Sequence, residues 1–294
     1  MNTSITSHSP RSLPNDLYVE PEVKVAVIQY RGSNQLYQET RTHLLSVLED
    51  VAQEGAKVIV APECACSDYL FKDHEDARRY SETRRGDLAH RLRALSARYG
   101  CWCFIGVVEL TELNELFNAT FITSPEGELL CYRKRLLFEA DVQWALSGDL
   151  YPAPHSERQS NFLLDRTHIE LSEPDAPYLL LNIFGWRATL GICMDLNDAR
   201  FLQFCEEAKV DLVIFPTNWI EEGHDVAQYW AHLLRDTRAT LLAANSHGSE
   251  GEITFSGGSA ILQATPPTLI GQAPLCGDYV ITATLSHSSS REES

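Results

Sequence analysis

The stretch VKVAVIQYRGSNQLYQETRTHLLSVLEDVAQEGAKVIVA, residues 23–61, decides the fold. Residues 23–30 form an almost unbroken apolar run of the length of one buried strand. The period then changes. Across residues 36–55, Leu44, Val47, Leu48 and Val51 recur at helical spacing on one face, and Gly55 marks the stop. Residues 57–61 return to a short apolar run. Strand, helix and strand in succession predict an α/β protein in which helices cover the faces of a sheet.

The same alternation continues outward. A second helix is expected at residues 87–99, with Leu88, Leu92 and Leu95 spaced for burial and Gly100 beyond its end, then a strand at 101–110. Residues 117–123 and 129–132 read as a hairpin around Pro125, Glu126 and Gly127. Residues 146–178 carry prolines and charges without periodicity and are expected to be a long loop with one strand at 161–164; such a loop serves either the site or an oligomer contact. Strands follow at 179–184 and 187–193, a short helix at 201–208 and a strand at 211–215. A helix at 225–238 carries Val226, Tyr229, Trp230, Leu233 and Leu234 on one face, and strands at 241–245, 259–263 and 279–285 complete the reading. No repeat of fixed period is evident.

Composition narrows the class. The 294 residues, 44% of them hydrophobic, are enough for one large core, and no linker divides them, so a single domain is expected over residues 21–285. A formal net charge of -17 repels phosphate backbones and anionic bilayers, so neither nucleic acid nor membrane is an expected partner. Residues 1–20 and 286–294 are Ser-rich and polar and read as disordered tails; the first lacks the basic and apolar regions of a secretory signal. Five of the eight cysteines (Cys101, Cys103, Cys131, Cys193 and Cys205) lie in apolar or strand-like surroundings, which fits a reducing cytoplasm better than a disulfide framework. Asn118 opens a formal glycosylation sequon, yet it falls inside an expected strand and should be unmodified. Cys64/Cys66 and Cys101/Cys103 are one residue apart rather than in paired C-x-x-C sets, and neither H-E-x-x-H, a P-loop nor G-x-G-x-x-G occurs. Neither a metal nor a cofactor is expected.

Chemistry concentrates beyond strand ends. Ala188-Thr-Leu-Gly-Ile-Cys193-Met-Asp-Leu-Asn-Asp198 delivers a thiol where the chain turns polar. A neutral thiol, with a free pKa of about 8.5, attacks acyl carbon poorly and needs a proton acceptor and positive potential. Glu63 ends the apolar run at 58–61, and Lys134 follows the strand at 129–132, each just beyond a strand-like stretch where open α/β sheets commonly build sites, so that base, cation and nucleophile could converge. Singly, each has an ordinary reading: a solvated loop carboxylate, a surface basic run, a core thiol. Together they favour catalysis.

Ala-Pro-Glu63, Tyr-Arg-Lys134 and Gly-Ile-Cys193-Met-Asp, in that order, resemble the Glu-Lys-Cys triad of the nitrilase, or carbon–nitrogen hydrolase, superfamily. The likeness runs from about Val23 to Leu285 and takes in Pro216-Thr-Asn-Trp219, Ala243-Ala-Asn245 and Phe255-Ser-Gly-Gly-Ser259. Residues 191–197 look most like the branch that deamidates N-terminal asparagine or glutamine. The resemblance implies a four-layer αββα sandwich and a homodimer or higher oligomer. It implies Glu63 as general base, Lys134 as the cation holding the tetrahedral oxygen beside the Met194 N–H, and Cys193 as nucleophile. It also implies a second carboxylate after the lysine, where the spacing to Gly148 favours Asp141 over Glu139, a shorter acid than the family pattern has. Asn218 and Trp219 are read either as pocket residues or as a strand-end turn with a packed indole; Glu222 and His224 are weaker candidates, His224 reading as an ordinary loop histidine rather than a catalytic base. The expected activity is cofactor-independent hydrolysis of a non-peptide C–N bond, chiefly a primary carboxamide on a small molecule or a peptide N-terminus. The same triad would also serve a nitrilase or an acyl transferase, and a silent nitrilase-like interaction scaffold is the competing class.

Overall fold

The computed structural model of the chain describes residues 22–148 and 178–286. The first half holds β1 (Glu22–Gln29), α1 (Tyr37–Gln53), β2 (Val58–Val60), α2 (His74–Arg78), α3 (Asp87–Tyr99), β3 (Trp102–Leu110), β4 (Leu116–Thr123) and β5 (Leu129–Arg133). The second holds β6 (Leu181–Ile183), β7 (Trp186–Leu190), α4 (Ala199–Glu207), β8 (Leu212–Thr217), α5 (Val226–Leu233) and β9 (Thr240–Asn245). It closes with β10 (His247–Glu250), β11 (Ile253–Ser256), β12 (Ala260–Gln263), β13 (Thr268–Gln272) and β14 (Tyr279–Ser286). Two six-stranded sheets result, ordered β14-β1-β2-β3-β4-β5 and β13-β12-β9-β8-β7-β6, and β10 with β11 forms a separate hairpin.

Strand periodicity explains the layering. In β1, Val25 and Val27 join the core shared with Leu190, Ile214 and Leu242 of the second sheet, whereas Ala26 and Ile28 join Leu44 and Leu48 of α1 and Leu88 and Leu92 of α3. Alternate residues therefore serve opposite faces, and both faces of the sheet are apolar. Phe201 of α4 and Trp230 of α5 are fully buried against the second sheet. Each such side chain contributes on the order of 1.5–3 kcal/mol. The order helix, sheet, sheet, helix is the αββα sandwich that the resemblance implied.

Strand direction then gathers the site. β1, β2 and β3 run parallel, and two antiparallel steps through β4 return β5 to the same direction, so the residues following β2 and β5 leave one edge of the first sheet. β7, β8 and β9 are parallel in the second sheet. Glu63 follows β2, Lys134 follows β5, Cys193 follows β7 and Asn218 follows β8.

Several expectations need correction. The strand expected to reach Cys193 stops at Leu190, and residues Cys193–Asn197 form a 3-10 turn. The Asp195 carboxylate accepts the Ile192 N–H at 3.0 Å and Asp195 N donates to Ile192 O at 2.9 Å, which curls the chain out of the ladder. The helix expected to 238 ends at Leu233 because Thr237 turns the chain, both its N–H and its hydroxyl donating to Leu234 O at 2.8 Å. Val47, expected in the buried stripe of α1, is only half-buried, and Leu45 is buried. The short α2, the β10–β11 hairpin and β13 had no sequence expectation. Ser286, expected to open a tail, pairs with Glu22 at the end of β14. The remaining tail residues, the strand expected at 161–164 and most of the 146–178 segment lie outside the described residues.

Candidate active site

Glu63 stands two residues beyond Ala61, in a turn that only a glycine on the neighbouring strand admits. A Cβ at Gly106 of β3 would lie 2.2 Å from Pro62 O and 2.5 Å from Glu63 Cα. The close approach is stitched by Gly106 N to Pro62 O, 3.0 Å, and Ala65 N to Gly106 O, 2.9 Å. Cys64 and Cys193 both have positive φ, 47° and 46°. Non-glycine residues held there cost roughly 1–3 kcal/mol each and cluster at functional sites. The base and the nucleophile of the reading thus each adjoin a strained turn.

The ammonium of Lys134 is wholly buried and donates to Glu63 Oε1 at 2.8 Å and to Asp141 Oδ2 at 2.6 Å. Asn118 Nδ2 donates to the same two carboxylates, at 2.6 Å to Glu63 Oε1 and 2.9 Å to Asp141 Oδ1. Glu63 Oε2 accepts the Asn218 backbone N–H at 2.8 Å, and Asp141 Oδ2 accepts Phe138 N at 2.9 Å. Of the two acids considered after Lys134, Asp141 is the one in the cluster, and Glu139 is exposed. Cys193 is 6% exposed, and Glu63, Lys134, Thr217 and the Asn218 N–H all act on its sulfur.

Electrostatics assign a resting state. Burial pushes the Cys193 thiol up to about 12, with Glu63 adding to the rise and Lys134, Thr217 and the Asn218 N–H opposing it. The resting sulfur is therefore a neutral thiol, which needs a base to take its proton as it attacks. Burial also raises the Glu63 carboxyl above the usual range, and Asp141 adds to the rise while Lys134 and Asn118 work against it. Burial alone would push Lys134 down, yet Glu63, Tyr69, Cys193 and Asp141 together hold it well above an ordinary lysine. A permanent cation thus faces a carboxylate of raised basicity and a protonated thiol, the arrangement for proton transfer concerted with attack.

Asp195, which sequence marked only as polar, is a buried clamp between two loops. Its Oδ1 accepts Arg135 N at 3.0 Å and Leu136 N at 2.8 Å; its Oδ2 accepts Tyr132 Oη and Ile192 N, both at 3.0 Å. It ties the Lys134 segment to the Cys193 turn. Tyr69, whose ring centroid is 5.9 Å from Lys134 Nζ, is held by its backbone N–H on the Glu250 carboxylate of β10. Asn118 was the chief omission. An asparagine inside the mostly apolar Leu116–Thr123 strand was the available signal, since an amide buried there demands partners. Met194 is half-buried beside Cys193. The Trp219 indole is packed among Phe215, Tyr229 and Trp230, with its N–H backbone bonded to Asn245 Oδ1 at 2.8 Å. Glu222 and His224 are exposed.

A sequence model of the family described as "Carbon-nitrogen hydrolase" matches residues 24–292. The protein N-terminal amidase of Saccharomyces cerevisiae is 26% identical over 214 residues, which cover 67% of this chain and 45% of that protein. The chain thus spans less than half of that relative. The protein N-terminal amidase of Schizosaccharomyces pombe is 24% identical over 285 residues, covering 82% of this chain and 91% of that protein. Omega-amidase NIT2 of Bos taurus is 26% identical over 194 residues, covering 66% and 62%. Among solved structures, an amidase from Nesterenkonia sp. superposes with a TM-score of 0.70 over 90% of both chains at 17% identity, a likeness of fold. A mutant of that amidase shows covalent addition of the acetamide moiety of fluoroacetamide at its active site cysteine.

Proposed function

This chain belongs to the carbon–nitrogen hydrolase family, and from that premise we propose that it hydrolyses a primary carboxamide through a thioester on Cys193. The observation that carries the reading is the fully buried Lys134 ammonium shared by Glu63 and Asp141, with the Cys193 thiol under the influence of both Glu63 and Lys134. Glu63 takes the thiol proton as Sγ bonds to the amide carbon, and the carbonyl electrons move onto oxygen. Lys134 and the Met194 N–H hold that oxyanion. Collapse of the intermediate breaks the C–N bond, and the Glu63 proton goes to the departing nitrogen, which leaves as ammonia. Glu63 then takes a proton from water as it attacks the thioester, and returns it to sulfur as the acid is released. Lys134 stays charged throughout and moves no proton. Asp141 acts by orienting Lys134, and Asn218 by its N–H on Glu63.

The substrate is placed at a peptide N-terminus bearing asparagine or glutamine, a reading supported by the 191–197 motif and by the names of the two yeast relatives. The same proposal puts the protein in a reducing cytoplasm, where its eight cysteines, all free and seven of them buried, stay reduced, and has it assemble as a homodimer or higher oligomer. The test is ammonia release from a panel of N-terminal Asn and Gln peptides, small amides, carbamoyl compounds and nitriles, with intact-mass analysis during turnover. Cys193→Ala is expected to abolish release, and an acyl adduct to appear on Cys193. Full turnover by that variant, or turnover without an adduct, overturns the mechanism; release from small amides alone overturns the N-terminal assignment.

A further inference from the structure

We infer that Asn118 is a positioning residue for this chemistry: one buried side-chain amide fixes Glu63 and Asp141 around Lys134 by spending both its hydrogens on their carboxylates. The inference rests on the reading of Glu63 as the base. Asn118 lies in the middle of β4 and is fully buried. An amide nitrogen has two hydrogens, and here they go to Glu63 Oε1 at 2.6 Å and Asp141 Oδ1 at 2.9 Å. The opposite assignment of the amide would aim its oxygen at two carboxylates, so the network itself sets the orientation. The backbone adds a third tie, since Lys134 N donates to Asn118 O at 2.8 Å.

One residue therefore touches all three charged members of the cluster. The need for it is electrostatic. Two carboxylates share one ammonium, and each repels the other's charge; a donor bonded to both offsets that repulsion without adding a titrating group. The bond falls on Glu63 Oε1, the oxygen that also meets Lys134, while Oε2 is held by the Asn218 N–H. With both oxygens held, the carboxylate plane stays fixed through the proton transfers of the cycle. Without Asn118, Glu63 loses a charge-assisted bond in a dry site and binds its proton more tightly.

Two measurements test this. The first is the pH dependence of Cys193 alkylation by iodoacetamide, read by intact mass, whose acid limb reports the protonation of Glu63. The second is the carbon-13 shift of the Glu63 carboxyl through a pH titration, which does not depend on cysteine chemistry. In Asn118→Ala both midpoints are expected to rise by about one pH unit or more, so that alkylation below the limb slows roughly tenfold. In the near-isosteric Asn118→Asp, which stands in where the alanine cavity prevents folding, they are expected to rise further. Thr120→Ala, two residues along the same buried strand, is expected to leave both unmoved. Unchanged carboxyl midpoints in the Asn118 variants overturn the inference, as does an equal rise in Thr120→Ala, which would mean general loosening of β4. Absence of alkylation in the wild type with a shifted carboxyl titration keeps Asn118 in its role and removes Cys193 from its own.

Discussion

Replacing Lys134 by methionine probes the ion cluster directly. The side chains have comparable length, so Lys134→Met removes a charge more than a volume. It withdraws donors at 2.8 and 2.6 Å from Glu63 and Asp141, whose side chains are 0% exposed. Breaking a buried pair by deleting one partner costs about 3–5 kcal/mol, because the remaining charge is left uncompensated. Asn118 still serves both carboxylates, the Asn218 N–H still serves Glu63 and Phe138 N still serves Asp141, so the loss should fall near the lower end of that range. Its pH dependence follows from Glu63. That carboxyl is already raised by burial, and losing the cation raises it further. A carboxyl whose folded-state value exceeds its unfolded value of about 4.3 holds a proton more tightly in the native state. The fold then weakens as pH climbs from the unfolded value through the raised one, by up to about 1.4 kcal/mol per unit. Urea unfolding followed by circular dichroism should show the variant less stable by about 3 kcal/mol at pH 8, with the gap closing at pH 5 and the denaturant slope unchanged. A gap of the same size at both pH values would refute the reasoning, as would wild-type stability at pH 8.

Two further substitutions test the supports. Asp195→Ala leaves the N–H groups of Ile192, Arg135 and Leu136 and the Tyr132 hydroxyl without their carboxylate; the expected loss is roughly 2–4 kcal/mol in urea unfolding, with Cys193 alkylation slowed because its turn is released from the Lys134 segment. A loss below about 0.5 kcal/mol with unaltered alkylation would show that the clamp holds neither loop. Gly106→Ala puts a methyl 2.2 Å from Pro62 O and 2.5 Å from Glu63 Cα, both backbone atoms, so the Glu63 turn must shift. A loss of at least about 1–3 kcal/mol and a collapse of ammonia release are expected, and an active, fully stable alanine variant would contradict the close approach.

How far the sequence carried depended on the range of the interactions involved. Burial patterns repeating every second residue, or at helical spacing, are local, and they located β1, α1 and β3 closely. The bounds of α3 were read as they stand, with Leu88, Leu92 and Leu95 buried and Gly100 in the left-handed conformation that ends the helix. Local turns with little hydrophobic content, such as α2 and the β10–β11 hairpin, left no periodic trace. The α5 helix was overextended because its apolar spacing continues through Leu234, and the turn that stops it depends on Thr237 closing onto Leu234 O.

By itself, the sequence determined which residue types stand just past which strands, and so the candidates Glu63, Lys134 and Cys193 and the α/β layering around them. Tertiary structure alone decided their partners. Asn118 meets Glu63 across 55 residues, Asp195 meets Arg135 across 60, and the Asn218 N–H meets Glu63 across 155. It also set Asp141, the acid that spacing already favoured, 2.6 Å from the Lys134 ammonium, and it left the Cys193 thiol neutral at rest. The physical reason is the same in each case. Hydrophobic periodicity is written along a single segment, whereas desolvation and hydrogen-bond geometry exist only once separate segments have packed around the same buried charge.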